Sequence, residues 1–116
     1  MSNKTKKSKK TKKKNKQKII VHQIFFNIGK GELHEIPRFY KCYKNNKSKC
    51  QKSGIQYKLW SRNMVEKLLD RKENKEYKKL YYDFSQDIMR IDFARYLILY
   101  RFGGIYIDLD ICMMNK

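Results

Sequence analysis

The chain has 116 residues and a formal net charge of +18, from 29 basic and 11 acidic side chains. This length suits one small domain. The sequence contains neither the run of about 20 apolar residues that spans a bilayer nor the apolar core of a secretory signal. We therefore expect no signal peptide and no transmembrane segment, and a cytoplasmic location with the nucleus as the alternative.

The cysteine pattern supports the same compartments. Cys42, Cys50 and Cys112 are odd in number and include no C-x-x-C pair. This pattern argues against a disulfide framework and against a zinc site built from local spacing. A reducing compartment is the default expectation for such a chain.

Residues 1–18 hold ten lysines and no acidic residue, and no aromatic or branched aliphatic side chain precedes Ile19. Such a segment cannot bury enough apolar area to offset the entropy of ordering. We therefore predict a disordered lysine-rich tail. Its function is simple solubilisation, a nuclear address, or contact with a polyanion, which includes nucleic acid and anionic lipid.

The composition changes at Ile19, where an apolar run rich in β-branched and aromatic residues extends to Phe26. A continuous run of this length predicts a strand that is covered on both faces. Pro37 suits the first turn of a short helix. The polar, lysine-bearing segment from Asn45 to Gly54 is interpreted as a loop.

A second strand is predicted from Ile55 to Trp60, where side chains alternate in character. A helix follows it, because apolar residues recur at a spacing of three and four positions. Its apolar residues are Met64, Val65, Leu68 and Leu69.

The clearest helix begins after Ser85, a candidate N-cap, with Asp87 in its first turn. Gly103 and Gly104 end it. Its predicted apolar stripe consists of Ile88, Ile91, Ala94, Ile98 and Phe102. A third strand then runs from Ile105 to Leu109, so the element order predicts an α/β fold with a mostly parallel sheet.

Charged residues near this helix and strand form the candidate site. Asp92 and Arg95 are neighbours on the helix surface. Asp108 and Asp110 lie on one face of the predicted strand together with Tyr106. An Asp-x-Asp pair alone is compatible with a divalent-cation site, with a general acid/base pair and with a solvated strand end.

Two motifs in the sequence resemble those of a known enzyme family. The segment from Arg90 to Asp110 contains Asp-x-x-Arg-Tyr, a short apolar helix, and Gly-Gly-x-Tyr-x-Asp-x-Asp. It resembles the DXD region of glycosyltransferases related to fungal initiating mannosyltransferases and to glucosylating bacterial toxins. The segment from Lys18 to Phe26 is similar to the family's opening Ile-His-Gln-x-Trp strand, with Phe in place of Trp. Tyr57-Lys-Leu-Trp60 resembles its second strand, so the resemblance covers about residues 18–112.

The resemblance implies a GT-A-like, Rossmann-like domain at residues 19–116 that forms the nucleotide-sugar-binding half of an enzyme. The implied activity is metal-dependent transfer of a hexose from a UDP- or GDP-sugar to a glycan or protein, with retention of configuration. The implied cofactor is Mn²⁺ or Mg²⁺. Because this sequence ends six residues after Asp110, we expect a truncated domain, and an inactive fragment is an alternative.

The resemblance also assigns roles to residues. Asp110 would coordinate the metal, and Asp108 would support it while contacting ribose or the transferred sugar. Asp92 and Arg95 would hold sugar hydroxyls and the diphosphate, although a plain ion pair on the helix is the alternative. Tyr106 would line the donor pocket.

His22 and Gln23 are predicted beside the nucleotide, and a core histidine is the alternative for His22. No catalytic residue is assigned. The rival function is a non-catalytic basic module that binds nucleic acid or another polyanion through residues 1–18 and a set of lysines. These lysines are Lys41, Lys44, Lys47, Lys49 and Lys52.

Overall fold

A computed structural model describes residues 19–113, so the predicted tail at residues 1–18 lies outside the described residues. Three strands form one all-parallel sheet in the order β2-β1-β3. They are β1 (Ile20–Ile24), β2 (Gln56–Trp60) and β3 (Ile105–Tyr106). The predicted α/β class and the parallel sheet are confirmed.

Four α-helices connect and cover the strands within residues 19–113. They are α1 (Pro37–Lys52), α2 (Arg62–Leu69), α3 (Lys75–Asp83) and α4 (Asp87–Phe102). Short 3₁₀ turns at Leu33–Glu35 and Lys72–Asn74 complete the connections. No helix in this part of the chain combines the length and the apolar composition that crossing a bilayer requires.

The central strand β1 is the most deeply buried element. Its residues from Val21 to Ile24 are all buried, as the continuous apolar run predicts. Ile24 belongs to the main core, which also contains Phe26, Trp60, Val65, Leu68, Leu69, Tyr81, Ala94, Leu97 and Ile98. The core therefore joins the carboxyl end of β1 to helices α2, α3 and α4.

The predicted loop from Asn45 to Gly54 is wrong, because α1 continues through it to Lys52. Cys42, Asn46 and Cys50 are buried at a spacing of four residues, which places them on one side of the helix. Of the residues between them, Lys44 and Lys47 are exposed. Pro37 begins the helix as predicted.

Helices α3 and α4 also differ from the predictions. Helix α3 was not predicted, since its one buried residue is Tyr81. The N-cap of α4 is Gln86, which makes no side-chain capping bond, rather than Ser85. Within the predicted stripe of α4, Ala94 and Ile98 are buried, whereas Ile88 is exposed.

The predicted third strand is shorter than expected. Ladder pairing ends at Tyr106, so Asp108 and Asp110 do not lie on a strand. The backbone N–H of Ile111 donates to the carbonyl of Asp108 at 3.0 Å, which closes a turn around Leu109 and Asp110. This turn, rather than strand alternation, sets the directions of the two carboxylates.

Cys42 and Cys112 form a disulfide, and Cys50 is buried as a free thiol. This pairing contradicts the expectation of no disulfide framework. The paired residues are 70 positions apart, so no local spacing could indicate them. The bond ties α1 to the segment that follows Asp110.

Gly103 and Gly104 both have positive φ, at 68° and 93°, but a side chain would meet different surroundings at each. A Cβ on Gly103 would have no atom within 4 Å, whereas a Cβ on Gly104 would collide with the carbonyl oxygen of Ile20 on β1. We expect Gly103→Ala to lower the free energy of unfolding by about 1–3 kcal/mol through backbone strain. Gly104→Ala should lower it further because β1 must also shift. Urea unfolding measures both losses, and equal losses would contradict the close approach to β1.

Candidate functional site

A cavity of about 380 Å³ opens beside the carboxyl ends of β1 and β3. This is the edge at which ligands usually bind in open α/β sheets. Five of the predicted site residues line this cavity, namely Asp92, Arg95, Tyr106, Asp108 and Asp110. The structure therefore brings together residues that come from α4, from β3 and from the turn after β3.

The rest of the cavity wall is mainly apolar. It includes Ile24, Phe25, Phe26, Ile28, Ile36, Phe39, Ile88, Ile91 and Leu109, with Lys30 as a further charged residue. The cavity thus has a charged group of side chains beside a larger apolar surface. This combination suits a ligand that carries both a flat or apolar part and an anionic or hydroxyl-rich part.

Arg95 lies between two carboxylates. Its guanidinium is 3.8 Å from Asp92 and 3.6 Å from Asp108, and it stands 5.6 Å from the ring centre of Tyr106. Burial, followed by the nearby charge of Asp108, raises the pKa of Tyr106 well above its usual value. The phenol of Tyr106 is therefore a neutral hydrogen-bonding group at the cavity wall.

Asp110 is held only loosely. Its nearest cation is Arg38 of α1, whose guanidinium lies 3.5 Å from the carboxylate. The Asp110 side chain remains 44% exposed and that of Asp108 remains 56% exposed. The oxygens of both carboxylates are therefore accessible from the cavity.

These two carboxylates fit a divalent cation of the hard, oxygen-preferring type. Within residues 19–113, no three acidic, histidine or cysteine side chains cluster closely enough to hold a metal ion by themselves. Mg²⁺ and similar ions commonly use one or two carboxylates together with water and substrate phosphates. The donor set of Asp108 and Asp110 is compatible with that arrangement.

The structure does not bring Gln23 to the cavity, because Gln23 is completely buried. Its amide nitrogen donates to the carbonyls of Ile107 and Asp108 at 3.2 and 3.0 Å. Its amide oxygen accepts from the Tyr57 hydroxyl at 2.6 Å. Gln23 therefore fixes the backbone of Asp108, the first aspartate of the Asp-x-Asp motif, through buried hydrogen bonds.

Asn46 of α1 extends this support to the residues after the turn. Its amide nitrogen donates to the carbonyl of Ile111 at 2.9 Å, and its oxygen accepts from the N–H of Met113 at 2.7 Å. The same nitrogen lies 3.4 Å from the Gln23 oxygen. Gln23, Asn46 and Tyr57 thus form a buried polar network, called here the amide network, that holds both ends of the turn.

His22 is also buried and also lies away from the cavity. Its Nδ1 accepts from the indole N–H of Trp60 at 3.1 Å, so Nε2 carries the proton and donates to the carbonyl of Gly103 at 2.9 Å. Burial lowers the pKa of His22 below its ordinary value of 6.5, and the Gly103 bond opposes that effect. Both ring nitrogens are satisfied, so His22 holds the end of α4 as a neutral core histidine.

Sequence reasoning missed the roles of Asn46 and Arg38. Asn46 fell within the segment interpreted as a loop, although its spacing of four residues from Cys42 and from Cys50 is helical. A polar residue within a buried helical stripe would have been a usable signal. No local pattern indicates Arg38, since its contact with Asp110 joins residues 72 positions apart.

Comparison with known proteins agrees with the geometry of the cavity. A family described as a glycosyltransferase sugar-binding region containing a DXD motif matches residues 4–116. An uncharacterized glycosyltransferase of Acanthamoeba polyphaga mimivirus is 31% identical over 98 residues, which cover 83% of this chain and 37% of that protein. Inositol phosphoceramide mannosyltransferase 1 of Schizosaccharomyces pombe is 30% identical over 97 residues, which cover 70% of this chain and 30% of that protein.

The chain therefore spans about a third of the length of these two relatives. No solved structure matches the chain at a significant level.

Removal of the Gln23 amide should destabilise the turn. Gln23→Ala leaves the Ile107 carbonyl without its side-chain partner, and an unsatisfied buried group costs about 1–3 kcal/mol. Gln56→Ala is the matched control, since Gln56 is exposed on β2. Urea unfolding should show a larger loss in the free energy of unfolding for Gln23→Ala than for Gln56→Ala. Equal losses would refute a structural role for the amide network.

Acid should weaken the fold through His22. The pKa of the folded state is the lower one, so this contribution is complete above about pH 6.5 and declines as pH falls towards the folded value. We expect the free energy of unfolding to fall between pH 7.5 and 5.5. His22→Asn should flatten this decline, whereas substitution of the exposed His34 by Asn should leave it in place. A decline that survives His22→Asn would refute the assignment.

Proposed function

The chain belongs to the family of glycosyltransferase sugar-binding regions containing a DXD motif, and from this premise we propose that it binds a nucleotide sugar for hexosyl transfer. The observation that carries the proposal is the shared cavity of Asp92, Arg95, Tyr106, Asp108 and Asp110. The donor is proposed to be a UDP- or GDP-hexose, and the transfer is proposed to retain the anomeric configuration.

The two parts of the cavity support distinct roles for the two parts of such a donor. The apolar walls suit the flat face of a nucleobase. At the charged end, the planar guanidinium of Arg95 presents paired N–H donors that match the oxygens of a diphosphate. Asp92 accepts hydrogen bonds from sugar hydroxyls in this scheme, and Tyr106 contributes a neutral donor beside them.

Members of this DXD family generally depend on a divalent metal, and Mn²⁺ or Mg²⁺ is the proposed cofactor here. Asp110 and Asp108 would hold it. When bound, such an ion neutralises charge that develops on the leaving diphosphate. Arg95 would assist by donating hydrogen bonds to the same oxygens, and the turn around Leu109 sets the backbone positions of the two aspartates.

His22 and Gln23 are proposed to act on donor binding indirectly. His22 fixes the carbonyl at the end of α4, and Gln23 fixes the carbonyl of Asp108. Both are therefore positioning residues. Movement of either carbonyl would shift Tyr106 or Asp108 relative to Arg95, and small displacements of binding groups have large effects on catalysis.

The acceptor is proposed to be a hydroxyl group on a glycan, a protein or an inositol phospholipid. The last class is supported by the S. pombe relative, which is named for mannosyl transfer to inositol phosphoceramide. The described residues that line the cavity are proposed to bind the donor.

Donor binding tests the proposal directly. Calorimetric titration with UDP- and GDP-hexoses should give binding that requires Mn²⁺, and Asp110→Asn should weaken it by about tenfold or more. Asp92→Asn should weaken it less and leave the Mn²⁺ dependence intact, because Asp92 contacts sugar rather than metal in this scheme.

Asp83→Asn is the matched control for charge, since Asp83 lies at the end of α3 outside the cavity. Equal losses in Asp83→Asn and Asp110→Asn would show a non-specific charge effect. Absence of any Mn²⁺-dependent binding to folded protein would overturn the proposed function.

A further inference from the structure

The positive charge of the described residues is concentrated on one helix. Residues 19–113 contain 18 basic and 11 acidic side chains, a net charge of +7. Helix α1 holds six of the basic residues and no acidic one. The remainder of this part of the chain has twelve basic and eleven acidic residues, so it is almost neutral.

The charge on α1 is directed outwards. Cys42, Asn46 and Cys50 mark the buried side, and four exposed lysines lie on the opposite side by helical periodicity. They are Lys41, Lys44, Lys47 and Lys52, called here the basic face. Within residues 19–113, none of these four forms a salt bridge.

Tyrosine rings support part of this face. The ammonium of Lys44 lies 4.5 Å from the ring centre of Tyr40, and that of Lys47 lies 5.6 Å from the ring centre of Tyr43. The two rings also stack on each other, with centres 6.0 Å apart. Lysine side chains therefore cover the ring faces that a nucleobase would need for stacking.

We propose that the basic face docks on the anionic lipid headgroups of a membrane surface. Lys41, Lys44 and Lys47 follow one another about 4.5 Å apart along the axis of α1 and turn by about 60° around it at each step, so they form a band on the exposed side of the helix. A helix that carries such a band of ammonium groups with tyrosines beside them can lie along a planar layer of phosphates. Because lysines cover the rings of Tyr40 and Tyr43, this face offers no open ring for base stacking.

The docked orientation would bring the cavity close to the lipid surface. Arg38, at the first turn of the same helix, reaches Asp110 at the cavity edge. The proposed donor site would then lie beside the headgroup layer. The docking itself requires neither metal nor nucleotide sugar, so it can be tested independently of the proposed transferase function.

Vesicle co-sedimentation of the full 116-residue chain tests the docking. Vesicles of phosphatidylcholine with 30% phosphatidylinositol are compared with pure phosphatidylcholine at low ionic strength. Lys41→Gln, Lys44→Gln and Lys47→Gln combined should reduce binding to the anionic vesicles on the order of 100-fold, because each lysine near such a surface contributes about fivefold. The matched control replaces Lys67, Lys72 and Lys75 by Gln, which removes the same charge from exposed positions elsewhere.

The control variant should retain most of its binding. Equal losses in both triple variants, or equal binding to neutral vesicles, would overturn the proposal. Tighter binding of duplex DNA or RNA than of anionic vesicles, with the same dependence on Lys41, Lys44 and Lys47, would overturn it in favour of nucleic acid.

Chemical footprinting of the unmodified chain avoids reliance on folded variants. Acetylation followed by mass spectrometry should show Lys41, Lys44 and Lys47 protected by anionic vesicles. Lys67, Lys72 and Lys75 should stay reactive. Uniform protection of both groups would contradict a specific docking face.

Discussion

Where the chain leaves the sheet after β3, the side-chain amide of Gln23 provides the hydrogen bonds that the strand ladder no longer provides. The last ladder bond runs from the Ile107 N–H to the His22 carbonyl at 3.0 Å, and the Gln23 amide then binds the next two carbonyls. An unpaired buried polar group destabilises the fold, whereas a fully paired buried network makes the surrounding structure rigid. The turn that carries Asp108 and Asp110 can therefore leave the sheet without losing a defined backbone position.

The geometry of the site depends on β1 more than on β3. Adjacent side chains on a strand point to opposite faces, so His22 and Gln23 reach in opposite directions. His22 holds the carbonyl of Gly103 before β3, and Gln23 holds the carbonyl of Asp108 after it. A two-residue strand is thus fixed at both ends by the central strand, and the absence of a side chain on Gly104 permits the close approach.

A continuous apolar run predicted β1, and periodicity predicted β2, α2 and most of α4. It failed where the buried stripe was polar or consisted of cysteine, as at Asn46 in α1, because composition suggested a loop. The length of β3 was also beyond sequence reasoning, since Ile105 to Asp110 alternates in the same way whether or not a ladder forms. The motif indicated five residues of the cavity, namely Asp92, Arg95, Tyr106, Asp108 and Asp110. The support of the site by Arg38 and Asn46 depends on contacts between residues distant in sequence.

The charges of the cavity explain why metal and donor binding should be coupled. Arg62 and Asp87 pair at 2.9 Å through two bonds, within the range of strong charge-assisted contacts. In contrast, the contacts of the cavity carboxylates with Arg38 and Arg95 are 3.5–3.8 Å long. Asp92, Asp108 and Asp110 line the cavity together with Lys30 and Arg95, and Arg38 lies beside Asp110. Three carboxylates therefore face three cations, which leaves no excess of positive charge to attract a diphosphate. A divalent cation supplies that excess, so each of the two proposed ligands improves the binding of the other.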